Sequence, residues 1–241
     1  MSFAKSSPAI SRLHPELRLG GFLAHDGTIE FYCRVKALAR PTDFAVDLGA
    51  GRGAWFEEDE SDFRRDMRRL RGNVAQLVGC DVDPAVLGNR AVDSARVIVP
   101  GQPWPFDDTS VDLIVSDYVL EHVQDTKLLA SEVYRILKPG GWLCARTPPK
   151  YHYVSIGARL ISNMRHAKVL QLAQPGRKAE DVFPTAYRLN TQKDLERVFV
   201  PERFENMSYT YCSEPQYYFG RIWVYRLFQF AHWLLPNAMT G

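Results

Sequence analysis

Val46-Asp47-Leu48-Gly49-Ala50-Gly51-Arg52-Gly53 is an apolar strand running into a glycine-rich turn. Glycines at alternate positions let the backbone turn sharply and let a ligand approach without meeting a Cβ atom. A buried strand that hands over to a helix through such a turn belongs to a parallel sheet covered on both faces. Dehydrogenases and flavoproteins use similar turns for pyrophosphate, so the residues around the glycines must decide the ligand.

Working outward, short runs rich in Val, Ile and Leu recur at 44–48, 76–80, 95–99, 111–115 and 142–145 and read as strands. Between the last two, Asp125 is a helix cap, Leu129, Val133, Ile136 and Leu137 follow helical spacing, and Pro139-Gly140-Gly141 ends the helix. Thr191 with Asp194 announces another helix ahead of Leu195, Val198 and Phe199, and 204–211 reads as a late strand. Residues 55–71, acids followed by arginines, read as a solvated helix with a loop. The expected fold is α/β: a doubly wound, mostly parallel sheet with an aromatic-rich C-terminal helical segment. One structural domain is expected, comprising an N-terminal arm and helix (1–42), a ligand-binding core (43–148) and an acceptor-side cap with the aromatic segment (149–241).

A chain of 241 residues with 46% hydrophobic residues can bury a full core as one α/β domain. Thirty basic against 28 acidic side chains leave a formal charge of +2, with no global field drawing in nucleic acid. Cys33, Cys80, Cys144 and Cys212 form no CxxC pair, which argues against a disulfide framework and a zinc site and points to a cytoplasmic setting. Charged and proline residues interrupt the first 27 positions before a secretory apolar stretch can form. Arg221, Arg226, Gln229 and His232 break the aromatic stretch 217–235, which therefore falls short of a membrane span.

Three features identify the ligand. Asp47, two residues before the first glycine, would repel a pyrophosphate and favours a cationic ligand. Gln76-Leu77-Val78-Gly79-Cys80-Asp81 is a second strand ending in an acid, from which a carboxylate can hold two ribose hydroxyls. The third is the block Pro105-Phe106-Asp107-Asp108 through Ser116-Asp117-Tyr118-Val119-Leu120-Glu121-His122, followed by Arg135-Ile136-Leu137-Lys138-Pro139-Gly140-Gly141. With these motifs in this order over residues 43–148, the chain resembles the small-molecule branch of the class I S-adenosylmethionine-dependent methyltransferases. Beyond residue 148, Arg146-Thr147-Pro148, Tyr151-His152-Tyr153, Asp181-Val182-Phe183-Pro184 and Tyr187-Arg188-Leu189-Asn190 resemble members that accompany polysaccharide biosynthesis.

The resemblance implies a Rossmann-like fold and S-adenosylmethionine as cofactor. Asp47, Gly49, Ala50, Gly51 and Gly53 would hold its methionine end, Asp81 and Val82 its ribose, and Ser116 and Asp117 would lie where the methyl group faces the acceptor. The family often places an acid after the third strand for the adenine amino group. Here the stretch is Val99-Pro100-Gly101-Gln102, so the backbone at Gly101 or the side chain of Gln102 takes that place. The implied reaction is methyl transfer to a small-molecule, glycan or lipid-linked acceptor at oxygen, with His152 as the preferred general base and Asp117 as the other catalytic candidate. The competing reading is a non-catalytic S-adenosylmethionine-binding subunit that supports a partner protein. A nicotinamide oxidoreductase is disfavoured by Asp47. Nucleic acid is not an expected substrate, since Ser116-Asp117-Tyr118-Val119 lacks paired prolines and no basic stripe interleaves with aromatics. The aromatic segment 217–235 is expected to cap the acceptor pocket, join two subunits, or contact a membrane peripherally.

Overall fold

The computed structural model of the protein describes residues 8–150, 184–211 and 221–234. In chain order the helices and strands are α1 (Pro8–Leu13), α2 (Gly27–Leu38), β1 (Phe44–Leu48), α3 (Trp55–Glu58), α4 (Asp62–Arg68), β2 (Gln76–Asp81), β3 (Ser94–Val97), β4 (Val111–Asp117), α5 (Thr126–Ile136), β5 (Leu137–Arg146), α6 (Gln192–Val198) and α7 (Ile222–Leu234). The strands form one sheet in the order β3-β2-β1-β4-β5, with every pairing parallel. This is the doubly wound α/β architecture expected from the alternation of apolar runs and helices.

Alternation along each strand feeds two cores. Val46, Leu48, Val78 and Ile114 pack on the side of Leu129, Val133 and Ile136 from α5. Ala45, Leu77, Leu113 and Val115 pack on the other side with Phe31, Tyr32 and Val35 from α2. Both helices start where a carboxylate accepts free backbone N–H groups: Asp26 from Thr28 and Ile29, and Asp125 from Leu128. The Thr191 hydroxyl likewise caps α6 through the Asp194 N–H.

Four local expectations are corrected. The third strand runs Ser94–Val97 instead of 95–99. Helix α5 stops at Ile136, before the Pro-Gly-Gly, because Leu137 is already extended and pairs with Val111. Lys138 to Gly141 then bulge out of the ladder, with Gly140 at φ +78°, before Trp142 rejoins opposite Leu113. Residues 204–211 form no strand. Phe204 is held by its ring contacts with Tyr134 and Phe199 and by a turn onto the Val200 carbonyl. The charged stretch 55–71 is not simply solvated either: Arg64 is 2% exposed, clamped by Asp59 and Asp26.

At the far end of the chain, Tyr225 of α7 is buried with Leu17 and Leu23 and bonds His14 Nε2 at 2.7 Å. Among the described residues no helix is long and apolar enough to cross a membrane.

Candidate active site

The strand order reverses between β1 and β4, and ligands of such sheets bind in the crevice beyond the carboxyl ends at that point. The glycine turn enters this crevice. The N–H groups of Gly49 and Ala50 both donate to the Cys80 carbonyl, at 2.7 and 3.2 Å, tying the turn to the end of β2. Asn89 grips it from outside: its amide donates to the carbonyls of Ala50 and Gly51, each at 3.1 Å, and its oxygen accepts the Ala91 N–H.

Two of the glycines serve different ends. At Gly49 (φ +75°) an added Cβ would fall 2.3 Å from Val119 Cγ2, so the space there is taken by the loop after β4. At Gly51 (φ +49°) the nearest atom to an added Cβ is Asp81 Oδ2 at 4.0 Å. The open approach that a ligand needs is therefore at Gly51. Its N–H donates to that same oxygen at 2.9 Å, while Asp81 Oδ1 accepts from Asp83. Gly53 faces the Asn89 side chain.

The carboxylate of Asp47, near the end of β1, makes no hydrogen bond or ion pair among the described residues. Its pKa is raised to about 7, first by burial and then by the charges of Asp117 and Asp81, against the opposing pull of Arg68. A partly buried acid in that state is stabilised by a positively charged group brought next to it. That suits an ammonium or sulfonium and suits a phosphate badly. Ser116, on β4, is fully buried, and its hydroxyl has no partner among the described residues.

Asp117 is in the opposite condition. It accepts from Arg146 through both Nε and Nη2, the latter at 2.9 Å, from Arg68 Nη2 at 3.1 Å and from the Tyr32 hydroxyl at 3.2 Å. Burial alone would raise its pKa, but the two guanidinium groups hold it below the usual carboxylate range. The two guanidinium groups therefore keep this carboxylate ionised. The guanidinium of Arg146 lies 4.6 Å from the Tyr118 ring and 5.1 Å from that of Phe31, and Arg68 lies 4.6 Å from Trp55 and 5.5 Å from Tyr32. Tyr118 itself has φ +58°, a conformation that costs a non-glycine residue energy and clusters at functional sites. Arg68 Nε is buried without a hydrogen-bond partner among the described residues.

Arg68, Tyr32 and Asn89 escaped the sequence reading, and Arg146 entered it only within the Arg146-Thr147-Pro148 motif, without a site role. Arg68 lay inside a charged run whose amphipathic placement only the fold reveals, and its signal was the nearby Tyr32 and Trp55. On the opposite side of the crevice, Val82, Gly101 and Gln102 are exposed, with Gly101 at φ +79° and Gln102 N–H on the Val99 carbonyl. His152 lies outside the described residues. His122 Nδ1 is bound to the Pro184 carbonyl at 2.8 Å, which fits a positioning role. The segments around 147 and 190 meet at buried Glu121, which accepts from Thr147, while Asn190 donates to Thr147 and to the Pro148 carbonyl.

Residues 46–145, the span holding the glycine turn, both strand-end acids and the β4–β5 edge, match the family model described as "Methyltransferase domain". The chain is 31% identical over 109 residues to a probable S-adenosylmethionine-dependent methyltransferase of Mycolicibacterium smegmatis, covering 44% of this chain and 42% of that one. It is 33% identical over 102 residues to malonyl-[acyl-carrier protein] O-methyltransferase 1 of Coxiella burnetii, covering 42% and 32%. It thus spans less than half the length of these curated relatives. Among solved structures it is similar to a methyltransferase of Thermotoga maritima described as a possible histamine N-methyltransferase, with 16% identity, a TM-score of 0.47, and coverage of 82% and 78%.

Proposed function

Taking residues 46–145 as a methyltransferase domain of the S-adenosylmethionine-dependent kind, we propose that this chain transfers a methyl group to a small-molecule, glycan or lipid-linked acceptor, at an oxygen atom. The observation that carries the reading is Asp47, an acid whose carboxylate has no hydrogen-bond partner among the described residues, on the strand that leads into the open glycine turn and within range of the Asp81 charge. The Coxiella relative, named for transfer to oxygen, supports the choice of acceptor atom.

In this reading Asp47 receives the ammonium of the cofactor's methionine end, with the Ala50 and Gly51 backbone beside it. Asp81 takes the ribose hydroxyls on lone pairs left beyond the Gly51 and Asp83 N–H groups, flanked by Val82, and the segment Gly101–Gln102 lies against adenine. Bound S-adenosylmethionine supplies a methyl group on a positively charged sulfur, with a neutral thioether as leaving group. Ser116 and Asp117 then border the reacting centre. Asp117 acts by fixing Arg146, Arg68 and Tyr32 along the acceptor side, so that the acceptor is aligned and water excluded. Proton removal from a hydroxyl acceptor falls to His152.

The test is calorimetry with S-adenosylhomocysteine, followed by mass-detected methyl release from S-adenosylmethionine onto nucleotide sugars, lipid-linked sugars and small phenols. Asp81→Ala is expected to weaken S-adenosylhomocysteine by about 1–3 kcal/mol, the range for hydrogen bonds to a charged group. His152→Ala is expected to lose roughly 100- to 10,000-fold in turnover at unchanged cofactor affinity. Binding without methyl release onto any acceptor would favour the non-catalytic subunit. Absence of binding defeats the proposal.

A further inference from the structure

Helix α7 carries its apolar residues on the wrong side for a helix whose only task is to pack. Val224 and Tyr225 are buried, yet Ile222, Trp223, Leu227, Phe230, Trp233 and Leu234 are 38–78% exposed. At about 100° per residue these six side chains fall within an arc of roughly 140° on the outer face, with Arg226 in its middle. Exposed apolar residues scattered singly are ordinary, but a contiguous set this large marks a contact surface.

The charges choose the occupant. Residues 215–241 contain Arg221, Arg226 and His232 and no acid. A second copy meeting this face across a two-fold axis would bury Arg226 against an identical helix that offers no carboxylate, and an unpaired buried charge is strongly destabilising. A lipid surface has no such cost: tryptophans favour the headgroup level, and arginines reach past apolar neighbours to the phosphates. We propose that α7 is a docking face for an anionic lipid surface, lying flat with Trp223, Leu227, Phe230, Trp233 and Leu234 in the boundary between headgroups and acyl chains and Arg226 against the phosphates. This inference stands whether or not the methyltransferase reading holds.

The test is co-sedimentation of the full chain with vesicles of phosphatidylcholine alone and of phosphatidylcholine mixed equally with phosphatidylglycerol, alongside tryptophan emission. Arg226 should make binding to the anionic vesicles about fivefold tighter, and salt should reverse the gain. Trp233→Ser with Phe230→Ser should lower binding by about tenfold on both compositions, and Arg226→Gln should lower it on the anionic one alone. Both sites are exposed, so far-ultraviolet dichroism and S-adenosylhomocysteine affinity should stay unchanged; should the double variant fail to fold, Arg226→Gln decides alone. No vesicle binding by the unaltered chain at low salt would overturn the proposal, as would binding indifferent to these substitutions. A dimer dissolved by Trp233→Ser, with no vesicle binding, would assign the face to a second copy and overturn it equally.

Discussion

Two carboxylates a short way apart are driven in opposite directions, and pH separates them. Asp47 titrates near 7 in the folded protein, above its unfolded value, so the folded chain holds a proton that the unfolded chain has lost between about pH 4 and 7. Stability contributed by protonated Asp47 is therefore present at low pH and declines as pH rises through 7. Asp117 is depressed: its contribution is present above the unfolded carboxylate range and lost as pH falls through its folded value. A cation beside Asp47 prefers the ionised form, so S-adenosylhomocysteine should bind more tightly as pH rises through 7. Asp47→Asn should flatten both that dependence and the decline in stability, as calorimetry and thermal unfolding from pH 5 to 8 would reveal; an unchanged binding profile would exclude Asp47 from the cofactor contact. The glycines give a second prediction at this scale. Gly49→Ala meets Val119 and should destabilise the fold, with partial rescue by Val119→Ala, whereas Gly51→Ala meets open space and should cost only about 1–2 kcal/mol for its left-handed backbone. If Gly51 is the ligand's approach, that milder variant should be the one that loses S-adenosylhomocysteine at least tenfold.

At the scale of elements, Arg146 ends β5, Asp117 ends β4, Tyr32 sits on α2 and Arg68 on α4, so one acid holds together four segments that are far apart in the chain. Removing Asp117 would leave the guanidinium groups of Arg146 and Arg68 uncompensated, and Asp117→Asn should destabilise the protein by about 3–5 kcal/mol. Adding Arg146→Met to Asp117→Asn should recover part of that loss in urea unfolding, since the second change removes one of the two orphaned charges. Additive losses would mean that the pair is not coupled in the folded state. The strands, the sheet type and the α5 cap were legible because alternation and capping are local signals, as Val46, Leu48 and Asp125 illustrate. Arg64 and Arg68 were not, because whether a charged helix faces water is decided by what the fold lays over it. The missing late strand has a similar cause: Tyr209, Thr210 and Tyr211 carry β-forming character, but whether such a stretch pairs with a sheet edge is decided by the fold and not by a local pattern.

For the whole molecule, binding and folding are linked through the crevice. S-adenosylhomocysteine at about a hundred times its dissociation constant should add about 2.7 kcal/mol, which for a domain of this size corresponds to a rise of roughly 5–10 °C in melting temperature. Asp81→Ala should shrink that shift at the same ligand concentration, and an equal shift in the variant would place the ligand elsewhere. The acceptor side was the least readable part, because the sequence beyond residue 148, where it was sought, lacks the regular periodicity that marks β1 or α5. The Cys80 carbonyl, finally, receives the N–H groups of both Gly49 and Ala50. Those amides should exchange with deuterium only when the end of β2 opens, as slowly as interior strand positions and far more slowly than a surface turn of glycines would suggest. The conformational entropy of the turn has then been lost at folding, so ligand association should proceed without an ordering step and at a rate insensitive to the viscosity of loop closure.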